Sequence, residues 1–225
     1  MKPGVLFDVD GTLVDTTYLH TVCWWEALRQ HDRDVPMAAI HRAIGMGADK
    51  LLDHLLGPDR DRDADDALVT AHDVLYGAWW ERLRPLPGAT ELLRAVAGQG
   101  LAVVLASSAR APELQRLRRA LDAEEVIAAA TSSADAEQSK PAPDILRAAL
   151  DQSDVDPRRA VFVGDAVWDV EAAGALDIPC IGVTCGGTSA AELTEAGAVA
   201  VYGGPQDLLA ALEDSAIGAL IKQTG

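Results

Sequence analysis

Short apolar runs alternate with longer amphipathic stretches along most of the chain after residue 88. Continuous apolar runs bounded by turn residues are typical of buried strands, and apolar positions three or four residues apart are typical of helices. On this pattern we predict strands at 101–106, 126–130, 160–163, 178–183 and 199–202, and helices at 89–98, 112–121, 144–150 and from 207 onward. Strands that alternate with helices favour a parallel sheet of the doubly wound α/β class.

One more strand is predicted near the start of the chain, and a long helical stretch separates it from the others. The apolar run that begins at Val5 stops at Gly11, as a buried parallel strand would. From 16 to 82, apolar residues recur at helical spacing and no convincing strand is evident. In the first of these helices the repeated apolar positions are Tyr18, Val22, Trp25 and Leu28, and further helices are predicted at 40–47, 50–56 and 68–83. This stretch is therefore predicted to be a helical insert.

Two boundaries separate the insert from the rest of the chain. The segment Arg84-Pro85-Leu86-Pro87-Gly88 cannot continue a helix, because proline lacks the backbone donor and clashes with the preceding turn. Asp15-Thr16 would be the other hinge. We predict a doubly wound α/β core of residues 1–15 and 83–225, with a helical cap of residues 16–82.

Two carboxylates one residue apart, Asp8 and Asp10, end the first predicted strand. In open α/β sheets, ligands bind at the carboxyl ends of the strands. One carboxylate at such a position can act as a nucleophile and the other as a general acid and base. Because two carboxylates this close repel each other, a divalent cation is expected beside them.

Polar groups of complementary chemistry follow at other strand ends and in one loop. Ser107 and Ser108 come directly after the strand predicted at 101–106. Lys140 lies in a proline-rich loop, and Asp165 and Asp169 follow the strand predicted at 160–163. The carboxyl ends of parallel strands share one edge of a sheet, so these groups are expected near the two carboxylates.

These segments resemble, in order, the four motifs of the haloacid dehalogenase superfamily of phosphotransferases. The resembling stretches are Asp8–Asp15, Val103–Ser107, Ser139–Asp144, and Val161–Asp165 with Asp169. At position 166, where the family often has Ser or Thr, this chain has Ala166. The resemblance extends over the whole chain, and the helical insert resembles the smaller of the family's cap types.

The resemblance implies a role for each polar group in the reaction. Asp8 would attack phosphorus and form an aspartyl-phosphate, and Asp10 would act as general acid and then as general base. Ser107, Ser108 and Lys140 would bind the phosphoryl group. Members that dehalogenate lack an acid at the second position, since a halide leaving group needs no proton. The presence of Asp10 therefore favours phosphoryl transfer.

The resemblance also implies a bound Mg²⁺. Asp8, the backbone carbonyl of Asp10, Asp165 and water would ligate the ion, and Asp169 would be a ligand or an acceptor that orients one. Four carboxylates against one lysine and one Mg²⁺ leave one negative charge. A second positive contact or a protonated Asp10 is therefore expected when a phosphate arrives.

The predicted cap offers candidates for recognition of the leaving group. A cap that closes over the site excludes water and contacts the substrate. The candidates are His20, Trp24, Arg42, Met46, Gly47 and Lys50. Structural roles stay open for them, such as a place in the cap core for Trp24 and an ion pair on its own helix for Arg42.

The first quarter of the chain also resembles β-phosphoglucomutase, with His20 and Trp24 suitably placed. That enzyme has an arginine soon after its glycine loop, which binds the second phosphate of a bisphosphate. Here the loop Gly45–Asp49 is followed by Lys50 and no arginine follows closely, and lysine is an imperfect substitute. A phosphatase, such as the phosphoglycolate phosphatase type, is favoured, and a hexose-phosphate mutase is the alternative. The alternative of another class is a non-catalytic phosphate-binding regulatory protein.

Composition limits the classes of partner. The chain has 225 residues, with 19 Lys and Arg against 35 Asp and Glu, and a formal net charge of −16. This charge disfavours nucleic acid and anionic membranes, although a metal can make a local site attractive to a phosphate. No apolar run approaches the ~20 residues of a membrane span, and no secretory segment or zinc-like cysteine spacing is evident. We expect a cytoplasmic enzyme acting on a small phosphorylated metabolite, with an oligomeric state that the sequence leaves undetermined.

Overall fold

Six parallel strands form one sheet in the computed structural model, which describes residues 1–222, so that 223–225 of the predicted core lie outside the described residues. The strands are β1 (Lys2–Phe7), β2 (Ala102–Ala106), β3 (Ile127–Thr131), β4 (Val155–Gly164), β5 (Cys180–Val183) and β6 (Ala200–Tyr202). Their order is β3-β2-β1-β4-β5-β6, and every pairing is parallel. The predicted α/β fold class is confirmed.

Helices connect the strands and fill the segment between β1 and β2. The described α-helices are α1 (Thr17–Gln30), α2 (Met37–Ala43), α3 (Ala48–Leu56), α4 (Asp65–Gly77), α5 (Ala89–Gly98), α6 (Ala111–Leu121), α7 (Asp144–Ser153), α8 (Val167–Gly174), α9 (Ala190–Ala196), α10 (Pro205–Ala210) and α11 (Ala216–Lys222). Short 3₁₀-helices lie at Trp80–Arg82, Glu124–Val126, Ser133–Asp135, Thr184–Gly186 and Leu212–Asp214. None of the described helices is both long and apolar enough to cross a membrane.

Both faces of the sheet are covered because successive side chains of a strand point in opposite directions. In β1, Val5 and Phe7 pack with residues of α5, α6, α10 and α11. Leu6 points the other way and packs with residues of α7, α8 and α9. Burial on both faces is the physical reason that the strands are continuous apolar runs rather than alternating ones.

The helices between β1 and β2 have an apolar cluster of their own. Its buried members include Trp24, Leu28, Ile40, Leu51 and Leu68, which come from α1, α2, α3 and α4. These helices occupy the predicted insert. Their action as a cap over a catalytic core stays a prediction.

Helix α1 buries a different face from the one that its apolar spacing predicted. Tyr18 and Val22 are 58% and 43% exposed, whereas His20 and Trp24 are buried together with Leu28. The buried face carries a histidine because that side chain finds polar partners inside the protein, as described below. Hydrophobicity alone misses such a face, since a satisfied polar group can be buried as fully as an apolar one.

Several boundaries differ from the predicted ones. Strand β4 begins earlier, because Val155 already pairs with Lys2 beyond an irregularity in the register. Helix α4 ends at Gly77 and gives way to a 3₁₀ turn instead of running to Leu83. Helix α8 was not predicted, since its Ala- and Val-rich sequence has no polar face. Asp169 opens it by accepting a hydrogen bond from the backbone N–H of Ala166 at 3.1 Å.

Candidate active site

The polar residues that follow the strands meet at the carboxyl edge of the sheet. Asp8 follows β1, Ser107 follows β2 and Asp165 follows β4. In the sheet, β2 lies on one side of β1 and β4 lies on the other, so the strand order changes direction at β1. Open α/β sheets bind ligands at such a switch point. The backbone N–H of Asp8 donates to the carbonyl of Val163 at 2.9 Å, so the first carboxylate is fixed by the sheet itself.

A tight turn after Asp8 separates the two carboxylates of the first motif. The backbone N–H groups of Leu13 and Val14 both donate to the carbonyl of Val9. Gly11 has a φ of +78°, and a Cβ there would lie 2.6 Å from Asp165 Oδ2, so both conformation and space require glycine. Asp8 and Asp10 consequently have different partners.

Three carboxylates form a buried cluster beneath this turn. Asp8, Asp165 and Asp169 each have one carboxylate oxygen that lies within 4.8 Å of the corresponding oxygens of the other two. Burial raises the pKa of Asp165 well above its ordinary value, and the charges of Asp169 and Asp8 raise it further. Thr12 Oγ1 donates to Asp165 Oδ1 at 2.9 Å. Clustered carboxylate oxygens with unbalanced negative charge are the donor set that suits a hard divalent cation.

Lys140 is the cation that the structure places against this cluster. Its side chain is fully buried, with Nζ 2.5 Å from Asp8 Oδ1 and 2.8 Å from Asp169 Oδ1. Burial lowers the pKa of Lys140, but the charges of Asp169 and Asp8 outweigh that effect and raise it. Burial has the opposite effect on a carboxyl group, and it raises the pKa of Asp8 to about 7 although the charge of Lys140 lowers it. One lysine cannot balance three carboxylates, which again fits a divalent cation.

The two serines after β2 have different surroundings. Ser107 is fully buried, and its Oγ accepts a hydrogen bond from the backbone N–H of Ala109 at 3.0 Å. Ser108 Oγ is buried without a hydrogen-bond partner among the described residues. Ser108 also lines the cavity described below, so its hydroxyl is available to a ligand.

Two residues of the helical insert, Thr16 and His20, contact the Asp10 carboxylate. Its Oδ1 accepts a hydrogen bond from Thr16 Oγ1 at 2.7 Å and lies 3.3 Å from His20 Nε2. Burial raises the pKa of Asp10, but the hydrogen bonds and charge of His20 and Thr16 outweigh burial and hold it below the ordinary value. Burial lowers the pKa of His20, yet Asp10 and Glu113 raise it overall. The raised pKa of His20 favours its cationic form beside Asp10, whereas the expected second positive contact to a phosphate stays a prediction.

A cavity of about 460 Å³ lies between this edge of the sheet and helices α1, α3 and α4. Asp8 and Asp10 line its inner end. Of the predicted cap residues, His20, Trp24, Met46 and Gly47 line its wall. The structure thus brings four of the six candidates to the same cavity as the motif carboxylates.

Arg42 and Lys50 are not among the residues that line this cavity. Arg42 is exposed and forms an ion pair with Glu192 of α9, and its carbonyl accepts a hydrogen bond from Trp168 Nε1 at 3.0 Å. The ion pair therefore links α2 to α9. It does not involve an acid on the same helix as Arg42. Contact of Arg42 or Lys50 with a substrate stays a prediction.

Sequence reasoning missed several residues of the cavity wall. His72 stacks on Trp24 with ring centroids 4.3 Å apart, and its Nε2 lies 3.1 Å from His20 Nδ1. Burial lowers the pKa of His72 to about 4, so its ring is neutral at pH 7. Glu113, at the start of α6, lies 3.3 Å from His20 Nε2, and burial raises its pKa to about 7. The recurrence of Leu68, His72 and Tyr76 at four-residue spacing was the available signal for the helix face.

Comparisons with known proteins agree with this geometry. The model of the haloacid dehalogenase-like hydrolase family matches residues 3–177. A phosphoglycolate phosphatase of Rhodospirillum rubrum is 31% identical over 216 residues, which cover 90% of this chain and 87% of that protein. The crystal structure of a hydrolase from Pseudomonas syringae has 30% identity and a TM-score of 0.89, covering 95% of this chain and 99% of that one.

A β-phosphoglucomutase from Clostridium difficile has a TM-score of 0.82 over 100% of this chain and 99% of its own. Its 18% identity makes that likeness one of fold alone.

The chain belongs to the haloacid dehalogenase-like hydrolases, as the extent of the family match shows. The predicted superfamily is confirmed, and so is the prediction of an enzyme of the hydrolase and phosphatase class. The acidic cluster of Asp8, Asp165 and Asp169 is compatible with the divalent metal that such enzymes use.

Proposed function

We propose that this chain is a Mg²⁺-dependent phosphatase that hydrolyses a small phosphomonoester, of the phosphoglycolate or sugar-phosphate type, through an aspartyl-phosphate on Asp8. The observation that carries the proposal is the position of Asp8. Its carboxylate is buried beside Lys140 and two further carboxylates, and it lines a cavity that also holds Asp10. A cytoplasmic location fits a substrate of this kind.

In the proposed first step, the Asp8 carboxylate attacks phosphorus and the bond from phosphorus to the leaving oxygen breaks. Asp10 gives its proton to that oxygen. Because Asp10 is ionised in the resting site, it must first take a proton, and the nearest source is His20 Nε2 at 3.3 Å. In the second step Asp10 removes a proton from water, the water oxygen attacks phosphorus, and the bond to Asp8 breaks with release of inorganic phosphate.

The remaining motif residues bind and neutralise the phosphoryl group. Ser107, Ser108 and Lys140 would contact its oxygens. Asp8, Asp165 and the backbone carbonyl of Asp10 would hold Mg²⁺, with Asp169 as a further ligand or an orienting acceptor. When bound, the ion would supply positive charge against the phosphoryl oxygens and the carboxylate cluster.

We further infer that residues 16–82 act as a cap on a core of residues 1–15 and 83–225. The two connecting segments run side by side, since the N–H of Asp15 donates to the carbonyl of Arg84 at 3.2 Å and the N–H of Leu86 donates to that of Leu13 at 2.8 Å. A double connection of this kind supports a hinge. The walls of the cavity come from both sides of it.

A hexose-phosphate mutase is the second candidate. A mutase must hold a second phosphate, and no arginine closely follows the glycine loop of this chain. Arg110, the arginine among the cavity residues, is bound to Asp73. The phosphatase is therefore favoured.

The test is phosphate release from a panel of small phosphomonoesters, with Mg²⁺ and with EDTA. We expect release that requires Mg²⁺ and is abolished by Asp8→Asn. Asp122→Asn, a matched change at an exposed helix end, should retain activity. Interconversion of sugar phosphates with little release would favour the mutase, and Asp8-independent release would contradict the proposed nucleophile.

A further inference from the structure

The cavity wall away from Asp8 is acidic. Its carboxylates are Asp49, Asp73, Glu113 and Glu137, and its basic side chains among residues 1–222 are Arg110, His20 and His72. His72 adds no charge, because burial keeps its ring neutral at pH 7. The part of the cavity where a leaving group would lie therefore has more negative than positive side chains.

Arg110 and His20, the two basic residues of the wall that could meet an anion, already have anionic partners. Arg110 Nη1 lies 2.5 Å from Asp73 Oδ2. His20 Nε2 lies 3.3 Å from Asp10 Oδ1 and 3.3 Å from Glu113 Oε1. At His20, a carboxylate or a second phosphate on the leaving group would have to displace Glu113, which would then stay buried without its partner. This cost disfavours an anionic leaving group.

The same wall retains unused capacity for hydrogen bonds. Ser108 Oγ is buried and forms no hydrogen bond with any described residue. Glu113 Oε1 lies 3.3 Å from His20 Nε2 as an ion pair, but it too is buried and accepts no hydrogen bond from any described residue. Both residues line the cavity. Leaving buried polar atoms unsatisfied is unfavourable, and hydroxyl groups of a ligand can both donate to Glu113 and accept from Ser108.

We propose that this cavity selects phosphomonoesters whose leaving group is an uncharged, hydroxylated alcohol, and that it rejects esters whose leaving group carries a carboxylate or a second phosphate. This proposal rests on the proposed phosphatase activity and narrows its substrate class, because of the two types named above it favours the sugar-phosphate type over the phosphoglycolate type. A cationic leaving group should rank between the two, since Glu113 and Asp73 attract it but are already paired with His20 and Arg110.

The test uses three two-carbon esters that differ in the charge of the leaving group. They are 2-hydroxyethyl phosphate, which is neutral there, phosphoethanolamine, which is cationic, and 2-phosphoglycolate, which is anionic. At pH 8 with Mg²⁺, Glu113 is ionised because its pKa is about 7. We expect kcat/KM for 2-hydroxyethyl phosphate to exceed that for 2-phosphoglycolate by about tenfold or more, the effect of roughly one lost charge contact. Equal or better turnover of 2-phosphoglycolate, or a clear preference for phosphoethanolamine, would overturn the proposal.

A variant localises the effect. Glu113→Gln removes one negative charge from the wall, so the ratio of kcat/KM for 2-phosphoglycolate to that for 2-hydroxyethyl phosphate should rise several-fold. Glu171→Gln makes the same change of net charge on the exposed side of α8 and should leave the ratio unchanged. The ratio does not depend on the folded fraction of a preparation, so poor folding cannot imitate the result. Equal ratios in both variants would remove Glu113 from the explanation.

A fourth ester, p-nitrophenyl phosphate, separates the two proposals. Suppose that hydrolysis of p-nitrophenyl phosphate requires Asp8, but the charge ranking is reversed or 2-hydroxyethyl phosphate is not hydrolysed. The proposed substrate class is then wrong, and the proposed phosphatase activity is retained. If none of the four esters is hydrolysed, the proposed phosphatase activity itself fails.

Discussion

Asp10 Oδ1 lies 3.3 Å from His20 Nε2, so a carboxylate that follows the first strand of the sheet is joined to the first helix of the inserted segment. The contact ties the charge of the core site to the position of α1. It also explains why His20 is buried on a face that hydrophobicity did not predict, since the ring has Asp10 on one nitrogen and His72 on the other.

His20→Gln should reduce kcat without a comparable rise in KM. Loss of the imidazolium removes the contact that lowers the pKa of Asp10 and the nearest source of its proton. The expected fall in kcat is about tenfold to a hundredfold, the range of a general acid–base contribution. The ionised form of Asp10 should also require higher pH, so the acidic limb of the kcat profile should move upward. His31→Gln, at the end of the same helix, should change neither quantity, and an unshifted limb in His20→Gln would contradict the assignment.

Lys140→Met should destabilise the metal-free protein strongly. Asp8 and Asp169 would lose the cation that lies 2.5 and 2.8 Å from them and would remain buried. Removing one partner of a buried ion pair lowers the free energy of unfolding by about 3–5 kcal/mol. Urea unfolding in EDTA measures the loss, with Lys222→Met on the exposed terminal helix as the control. Similar free energies of unfolding for the two variants would show that Lys140 does not offset the cluster.

Asp165→Asn should affect the stability of the metal-free protein and its stabilisation by Mg²⁺ in different ways. In EDTA the variant should be at least as stable as the wild type, because a carboxyl whose pKa is raised by burial and by two neighbouring carboxylates gains little from ionising. Mg²⁺ should raise the melting temperature of the wild type, since a ligand that binds the folded state stabilises it. The rise should be small or absent in the variant. An equal Mg²⁺-induced rise in both proteins would exclude Asp165 from the metal site.

His72 should make the protein less stable in mild acid. Burial lowers its pKa to about 4 in the folded state, against an ordinary value of 6.5. The unfolded chain therefore binds the extra proton between these values, and stability should fall as the pH drops from 6.5 towards 4, by at most about 3 kcal/mol from this group. Asp73, His20 and Arg110 are the charged neighbours that modulate the effect.

The check is a difference between proteins, because other carboxylates of the site also titrate in this range. The free energy of unfolding of the wild type relative to His72→Gln should be smaller at pH 5 than at pH 7. His31→Gln serves as the matched control, and its difference from the wild type should not change with pH. A His72→Gln difference that is constant across this range would mean that His72 does not titrate as described.

The core motif residues could be predicted from the sequence because their positions depend on local chemistry. An apolar run that ends in Asp8 and Asp10 specifies both a buried strand and the edge where it stops. The same holds for Ser107 after β2 and Asp165 after β4. Once the strands are parallel, their carboxyl ends meet at one edge, so the side chains that follow them are brought together without further information.

The wall of the cavity was decided by the tertiary structure alone. His72 and Glu113 lie far from the motifs in the sequence, and they reach the site because α4 and α6 pack against its two sides. Arg42, on a neighbouring helix, is instead held away by Glu192. Which polar residue of a helix faces a cavity depends on the partners that packing supplies to it, and periodicity carries no record of those partners. The sequence by itself therefore determined the fold, the family and the motif positions, while the charge of the cavity wall came only from the packed helices.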